Sequence, residues 1–281
     1  MLATSAAAIQ QARHGIDDAL LIVVEDAIAP GRPWAGLREE ERRADALLLV
    51  VVSDACAPSI TSLPRDLVLS PRADSVSVLY GALGPDALRS AVARTARVHV
   101  AGVTVLRFAD VAGLVDLVGG VSVTIARPTI DGSTGFSAGA GLVRLNGEEA
   151  VRMLRGRAWQ EWDGSAWTLP DGSDIDRMRR TRDVVDAARE RFAALNLVGK
   201  IKVLRLLQGR TAARNPLALA GLAHRVGSAK DVDLGVVPTD EERQVGDLLS
   251  PFAWADAGAL RRLRVVGDLH SVVHRCRSAR P

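Results

Sequence analysis

The chain has 281 residues, of which 48% are hydrophobic and 4% aromatic, and its formal net charge is +3. This length and apolar content suffice to bury a sizeable core, and no apolar stretch approaches the roughly 20 residues of a membrane span. Because aromatic residues are scarce and no basic run interleaves with them, we do not expect a stacking surface for single-stranded nucleic acid. We therefore expect no nucleic-acid partner.

The cysteine, histidine and basic residues exclude some kinds of protein and favour others. Cys56 and Cys276 are the only cysteines, which excludes a disulfide-dense scaffold and Cys-x-x-Cys motifs but permits one disulfide. His270 and His274 lie four residues apart near Cys276, yet a third zinc ligand is not evident, so we interpret them as packing and surface residues. Of the 36 basic residues 33 are arginine, which favours fixed, bidentate anion binding.

The first predicted elements are a lead-in over residues 1–17 and a strand over Leu20–Val24. This strand is wholly apolar and is followed by two acids, Glu25 and Asp26. Acids at a strand exit are well placed to meet a ligand in an open sheet, although a solvated loop is the commoner outcome.

A hairpin follows. Ala46–Val52 is an unbroken apolar run typical of a strand buried on both faces, and Ser59–Leu63 is a second short strand that Pro64 ends. If the two strands pair as an antiparallel hairpin, Asp45 and Arg65 are neighbours at one edge. Together they would suit a metal-bridged phosphate, because the acid can ligate a hard cation and the arginine can bind the oxygens. A simple salt bridge at the hairpin end would also explain these two residues and, from these residues alone, is the favoured interpretation.

Strands and helices then alternate along the chain. The pattern predicts a short strand ending at Tyr80, a helix over 85–97, a strand over 98–106, a helix over 108–118 and a strand containing Val121, Val123 and Ile125. Such alternation is typical of a layered α/β domain.

Two segments in the next part are predicted as loops. Residues 128–141 contain four glycines and resemble a surface loop, and residues 158–173 hold three tryptophans in a long, potentially functional loop. Between them, Asn146 and Glu149 form a capping pair that opens a helix through Leu154. Neither a dinucleotide fingerprint nor a Walker or nucleophile-elbow motif occurs.

A helix is predicted to start at Asp174 and to carry four arginines in its first turns. Arginine is unfavourable there because of the helix dipole, so the cluster requires either a bound anion or the acids Asp174 and Asp176. Further helices are predicted over 201–208, 216–226, 239–249 and 254–264. We divide the chain into the lead-in, a core over 18–200 and a mostly helical C-terminal part over 201–281 packed on it.

Four separated pieces occur in the order of one family. They are Arg43-Ala-Asp45-Ala-Leu-Leu-Leu-Val, Ser62-Leu-Pro-Arg65-Asp66, Leu145-Asn-Gly-Glu-Glu-Ala150 leading to Arg155-Gly-Arg157, and Asp176-Arg177-Met-Arg-Arg180. Together they resemble the LytR-CpsA-Psr family over roughly residues 18–200. Their joint order is far more specific than any single piece.

The resemblance implies a three-layer α/β/α domain with a central mixed sheet, here with a helical C-terminal extension. It also implies an extracytoplasmic phosphotransferase that moves a glycopolymer from a polyprenyl-pyrophosphate carrier to a peptidoglycan acceptor. The expected location is the outer face of the bacterial cell membrane or the cell wall, at the membrane surface, although the family's N-terminal membrane helix does not occur in this sequence. The expected cofactor is Mg2+ or Mn2+.

The resemblance also implies roles for individual residues. Asp26 and Asp45 match the metal-site carboxylates. The implied catalytic residues, among them the arginines that hold the pyrophosphate, are Arg65, Asp66, Arg155, Arg157 and Arg177. Substrate-binding roles are implied for Arg43, Arg180 and Thr181. Asp26 or Asp66 would act as the base.

Several positions depart from the family pattern. Thr181 replaces a glutamine, Ser75 a lysine, Val24 a glycine and Ile28 an arginine, and each change weakens phosphate contacts or backbone geometry. A non-catalytic homologue that binds polyprenyl (pyro)phosphate lipid is therefore the main alternative. Transcriptional regulation is a third interpretation, but no helix-turn-helix pattern supports it.

Overall fold

The structure is a computed structural model of the chain. It describes residues 18–26, 43–53, 57–65, 67–69, 76–169, 174–213, 221–222, 224–227, 229, 232–236 and 265–266. The predicted helices over 239–249 and 254–264, both cysteines and the pair His270 and His274 lie outside these residues.

Strands and helices alternate through most of the described chain. The strands are β1 Asp18–Asp26, β2 Arg43–Val52, β3 Ser59–Leu63, β4 Leu67–Val68, β5 His99–Arg107, β6 Val121–Ile125, β7 Thr129–Asp131, β8 Phe136–Ala138, β9 Gly141–Leu145, β10 Trp159–Trp162, β11 Trp167–Thr168, β12 Thr211–Ala213, β13 Asp233–Val236 and β14 Val265–Val266. The helices are α1 Val76–Ala96, α2 Phe108–Leu117, α3 Gly147–Arg155, α4 Asp174–Ala194 and α5 Leu197–Gly209. Residues 221–222 and 224–227 are also helical.

The central sheet is mixed and has the strand order β12-β5-β1-β2-β3-β13. Strand β2 is antiparallel to β3, as the hairpin pattern predicted, and it is also antiparallel to β1, whereas β5 runs parallel to β1. The two long central strands are apolar on both faces because helices cover both sides. The strands β12 and β13 extend the sheet at its two edges.

Helix α1 covers one face of the sheet. Its residues Val76, Tyr80, Leu88 and Val92 are at most 1% exposed and pack against the inner strands. Complete burial of each such side chain stabilises the fold by about 1.5–3 kcal/mol. The strand predicted to end at Tyr80 is wrong, because Val76 and Tyr80 are one helical turn apart and face the same core.

Helix α4 and the helical residues after 220 cover the opposite face. Val185, Leu222 and Val226 contact a second cluster on the sheet that includes Leu20 and Val50. The helix–sheet–helix order confirms the three-layer α/β/α arrangement. Helices α2, α4 and α5 enclose a further core with β6 and β9, in which Val115, Val184 and Val203 are buried.

A second sheet with the order β11-β10-β7-β8 occupies both segments that were predicted as loops. That prediction is wrong for 128–141 and for 158–173, although residues 170–173 lie outside the described part. Trp159 stacks on Phe136 with ring centroids 5.3 Å apart, and both side chains are buried. This long-range aromatic contact stabilises strands too short and glycine-rich to be recognised locally.

Candidate functional site

The candidate site lies at the sheet edge where β1 ends, β2 begins and β3 ends. The register pairs Leu47 of β2 with Leu63 of β3. Because the strands are antiparallel, Asp45, two residues before Leu47, lies opposite Arg65, two residues after Leu63. Asp45 Oδ1 lies 3.8 Å from Arg65 Nη1, which confirms the predicted neighbours. The backbone carbonyl of Arg65 accepts a hydrogen bond from the amide of Ser77 at the start of α1, and this contact fixes the end of the hairpin.

A second arginine reaches the same carboxylate from a distant part of the chain. Arg157 Nη2 lies 3.3 Å from Asp45 Oδ1, across 112 positions of sequence. Asp45 is 16% exposed, whereas Arg157 is 53% exposed. A single carboxylate therefore lies between two guanidinium groups, one of which is open to solvent.

Helix α3 brings Arg157 to this position. Asn146 Oδ1 accepts from the amide of Glu149, and Glu149 Oε2 accepts from the amide of Asn146, so the predicted capping pair is confirmed. Two arginines, Arg155 and Arg157, flank the Gly156 at which the helix ends. The guanidinium of Arg155 lies 5.0 Å from the ring centroid of Phe108, at the start of α2.

Helix α4 supplies the other wall of a pocket at this edge. The polar lining of the pocket includes Asp45, Arg65, Arg177 and Thr181, and Met178 is part of its apolar lining. Thr181 Oγ1 donates a hydrogen bond of 2.9 Å to the carbonyl of Arg177, one helical turn earlier. The hydroxyl proton of Thr181 is thus used within α4 and is not directed at a ligand.

Arg180 joins α4 to the turn that follows α3. Its Nη2 donates to the carbonyl of Gly156 at 2.9 Å, and its guanidinium lies 4.3 Å from the ring centroid of Trp159. Burial lowers the pKa of the Arg180 guanidinium, and the neighbouring Asp176 only partly offsets this. These contacts give Arg180 a structural anchorage in addition to its implied role in substrate binding.

Glu25 is the described acid at the end of β1. Its Oε2 accepts a hydrogen bond of 2.8 Å from the Tyr80 hydroxyl, and its Oε1 lies 3.9 Å from Arg107 Nε. The backbone of Asp26 pairs with that of Arg43 at the same edge, but neither side chain belongs to the described part.

Three positions that the sequence singled out, Asp66, Ser75 and Ile28, lie outside the described residues. Among the side chains that the structure does describe, no three of His, Cys, Asp and Glu lie close enough together to hold a metal ion. The described part of the chain also contains no helix that is long and apolar enough to span a membrane.

Sequence reasoning missed Asp131, which lies beneath the Arg155-Gly156-Arg157 turn and is 1% exposed. Burial by itself raises the pKa of this carboxyl, but hydrogen bonds from Ser133, Thr134 and Ala158 outweigh that effect and hold the pKa below its usual value. The run Asp-Gly-Ser-Thr could have indicated a turn in which the aspartate accepts backbone hydrogen bonds.

The arginines of the candidate site come from three separate parts of the fold. A three-layer α/β/α domain presents arginines from the turn after β3, from α4 and from the turn after α3 in one pocket region with Asp45, a set suited to phosphate-type anions. The sequence matches the model of the LytR-cpsA-psr family over residues 13–224, three quarters of its length. The chain belongs to this family, whose members are cell-wall glycopolymer transferases.

Solved structures of the family share the fold. A LytR-Csp2A-Psr enzyme from Actinomyces oris superposes with a TM-score of 0.69 at 21% identity, covering 92% of this chain and 89% of that chain. TagV of B. subtilis superposes with a TM-score of 0.64 at 17% identity, covering 95% of this chain and 99% of TagV. TagT of B. subtilis superposes with a TM-score of 0.61 at 18% identity, covering 94% of this chain and 91% of TagT. A structure of TagT bound to LIIa-WTA has also been solved. Comparison with curated protein sequences gives no significant match.

Proposed function

We propose that this protein transfers a glycopolymer from a polyprenyl-pyrophosphate carrier to peptidoglycan at the extracytoplasmic face of the bacterial membrane. The observation that carries the proposal is the convergence of Arg65 and Arg157 on Asp45, with Arg177 lining the same pocket. Arg65 and Arg157 both lie within 4 Å of Asp45 Oδ1. Guanidinium groups gathered in this way suit the several oxygens of a pyrophosphate, which they can bind in a bidentate manner.

The reaction requires mainly charge neutralisation and alignment. A sugar hydroxyl of the acceptor attacks the phosphorus nearer the glycopolymer, the bond between that phosphorus and the bridging oxygen breaks, and polyprenyl phosphate leaves. The hydroxyl proton passes to a carboxylate, for which Asp26 and Asp66 are the candidates. The guanidinium groups of Arg65 and Arg157 would hold the phosphate oxygens during this displacement.

A magnesium or manganese ion is part of the proposal. Asp45 is a suitable ligand for such an ion, because carboxylate oxygens are hard ligands. Its side chain is only 16% exposed and lies at the edge where the arginines meet. The ion would add positive charge beside the leaving phosphate. Asp26 is the second ligand expected from the sequence.

The lipid carrier also requires an apolar contact surface. Apolar side chains on α2 and α4 remain partly exposed beside the core they share, among them Leu114, Leu117 and Ala187. We place the prenyl chain along these side chains. Most of their surface packs within the protein, which was the simpler expectation from the sequence.

One observation favours the alternative of a non-catalytic lipid-binding homologue. The Thr181 hydroxyl, which stands where the family has a glutamine, donates its proton to the carbonyl of Arg177. This contact removes a donor from the pocket. Such a protein would still bind the carrier through its arginines but would turn it over slowly or not at all.

The test is phosphate release from a short-chain prenyl pyrophosphate with and without magnesium. Arg65→Ala is compared with Arg89→Ala, which removes an arginine on α1 that is ion-paired with Asp86 and does not line the pocket. Metal-dependent turnover that is lost in Arg65→Ala and kept in Arg89→Ala supports the transferase. Lipid binding without turnover supports the alternative, and the absence of both refutes the proposal.

A further inference from the structure

The turn that carries Arg157 is held from below by a buried carboxylate. Asp131 ends strand β7, whereas the turn follows α3, about 25 positions later in the chain. Asp131 Oδ2 accepts a hydrogen bond of 2.8 Å from the amide of Ala158, directly after Arg157. The side chain of Asp131 thus bonds to the backbone next to a site arginine.

The other oxygen of the same carboxylate is bound within its own turn. Oδ1 accepts from the amide and hydroxyl of Ser133 at 2.9 and 2.5 Å and from the amide and hydroxyl of Thr134 at 3.0 and 3.1 Å. Five donors therefore fix one carboxylate that is 1% exposed. A carboxylate held so completely has little freedom to rotate.

Ser133 makes a second link to the turn. Its Oγ donates to Asp131 and accepts from the amide of Arg157 at 3.4 Å. Gly156 lies so close to Asp131 that a Cβ atom there would be 2.7 Å from Oδ2. The backbone from Gly156 to Ala158 is consequently packed onto Asp131 and Ser133 on one side.

We propose that Asp131 is a positioning residue: it fixes the Arg155-Gly156-Arg157 turn so that Arg157 reaches Asp45 and presents its guanidinium to an anionic substrate. The proposal deepens the proposed function and rests on it for the identity of the anion. Asp131 itself is too deeply buried to contact the substrate. It acts through the backbone of the arginine turn.

Asp163 provides a matched control. Its Oδ1 accepts from the amide and hydroxyl of Ser165 and from the amide of Ala166, so it forms a turn of the same chemistry. These hydrogen bonds stay within the turn that joins β10 to β11, away from the arginine turn. Asp163→Asn therefore disturbs a turn with the same hydrogen-bond pattern, at an exposed aspartate, without removing a contact to the arginine turn.

The experiment measures the affinity of the full chain for inorganic pyrophosphate by calorimetry. Asparagine at position 131 has only one acceptor oxygen, so it cannot serve Ser133 and Thr134 and also accept from the amide of Ala158 as the two carboxylate oxygens do. We expect Asp131→Asn to weaken binding about tenfold, because the arginine is displaced, and Asp163→Asn to leave it unchanged. Equal affinity in all three folded proteins overturns the proposal.

A double-mutant cycle separates positioning from a general loss of structure. If Asp131 acts through Arg157, Asp131→Asn has no further effect on pyrophosphate affinity in an Arg157→Ala background. An equal loss in both backgrounds overturns the proposal. Should Asp131→Asn fail to fold, Ser133→Ala takes its place in the same cycle with the same two outcomes.

Amide hydrogen exchange at Ala158 distinguishes failure of this proposal from failure of the proposed function. If the unaltered protein does not bind pyrophosphate, the proposed function fails and exchange alone decides the role of Asp131. Faster exchange at Ala158 in Asp131→Asn than in Asp163→Asn supports the positioning role. The same exchange rate in both variants overturns it.

Discussion

Replacing Gly156 by alanine tests how tightly the arginine turn is packed. The backbone at Gly156 has φ −58° and ψ 124°, which alanine adopts without strain. The added Cβ would nevertheless lie 2.7 Å from Asp131 Oδ2 and 3.0 Å from its Cγ, whereas ordinary contact begins at 3.4 Å. The predicted effect is therefore steric and requires a movement of about 0.7 Å, the difference between 3.4 and 2.7 Å.

The magnitude follows from the bond that this movement would break. Because Oδ1 is fixed by Ser133 and Thr134, the turn must move, and the 2.8 Å hydrogen bond from Ala158 to Oδ2 would lengthen beyond bonding distance. Loss of a hydrogen bond to a charged acceptor costs about 1.5–3 kcal/mol. The lower conformational entropy of the unfolded alanine variant offsets about 0.4–1 kcal/mol of this. We expect Gly156→Ala to lower the free energy of unfolding by about 1–2 kcal/mol.

The assay is urea denaturation with Gly132→Ala as the matched control. Gly132 lies next to Asp131, and a Cβ there would meet nothing within 4 Å. We expect the control to keep the pyrophosphate affinity of the unaltered protein and to be about 0.4–1 kcal/mol more stable, because the same unfolded-state entropy is lost without a steric clash. Gly156→Ala should lose both stability and affinity. Equal stability of Gly156→Ala and Gly132→Ala would show that the turn can move freely, and the reasoning from packing would be wrong.

Three further variants test neighbouring contacts. Arg180→Lys keeps the charge, but a lysine cannot both stack on Trp159 and donate a hydrogen bond to the carbonyl of Gly156. We expect the free energy of unfolding, measured by heat or urea, to fall by about 1–2 kcal/mol. An unchanged free energy of unfolding would contradict this prediction. Asp45→Asn removes a carboxylate that competes with an anion for Arg65 and Arg157. Binding of pyrophosphate without metal should therefore become stronger, while magnesium-dependent turnover should fall. Weaker binding of pyrophosphate in calorimetry would contradict this prediction. The pKa of the Asp131 carboxyl is lower in the folded protein than its ordinary value of 3.8, so the ionised carboxylate stabilises the fold above pH 3.8, and this stabilisation is lost as the pH falls below that value. In acid titrations, the difference in free energy of unfolding between the unaltered protein and Asp131→Asn should therefore shrink in this acid range. It should not shrink on the alkaline side.

The local pattern of the sequence determined much of the fold. The apolar run of β2 and the turn after it predicted the hairpin, and the register then brought Asp45 and Arg65 together. The capping pair at Asn146 predicted the start of α3. These features depend on neighbouring residues or on one hairpin, so a linear pattern contains the information needed to predict them.

Tertiary structure decided the features that join distant segments. The stretch ending at Tyr80 is helical because its apolar residues meet the sheet one turn apart, and the tryptophan segment forms strands because Trp159 stacks on Phe136. The arrival of Arg157 at Asp45 and the support that Asp131 gives to its turn also arise only in the folded chain. Each depends on contacts across many residues, where burial and hydrogen bonding outweigh local preference, and the sequence alone does not state which partners meet.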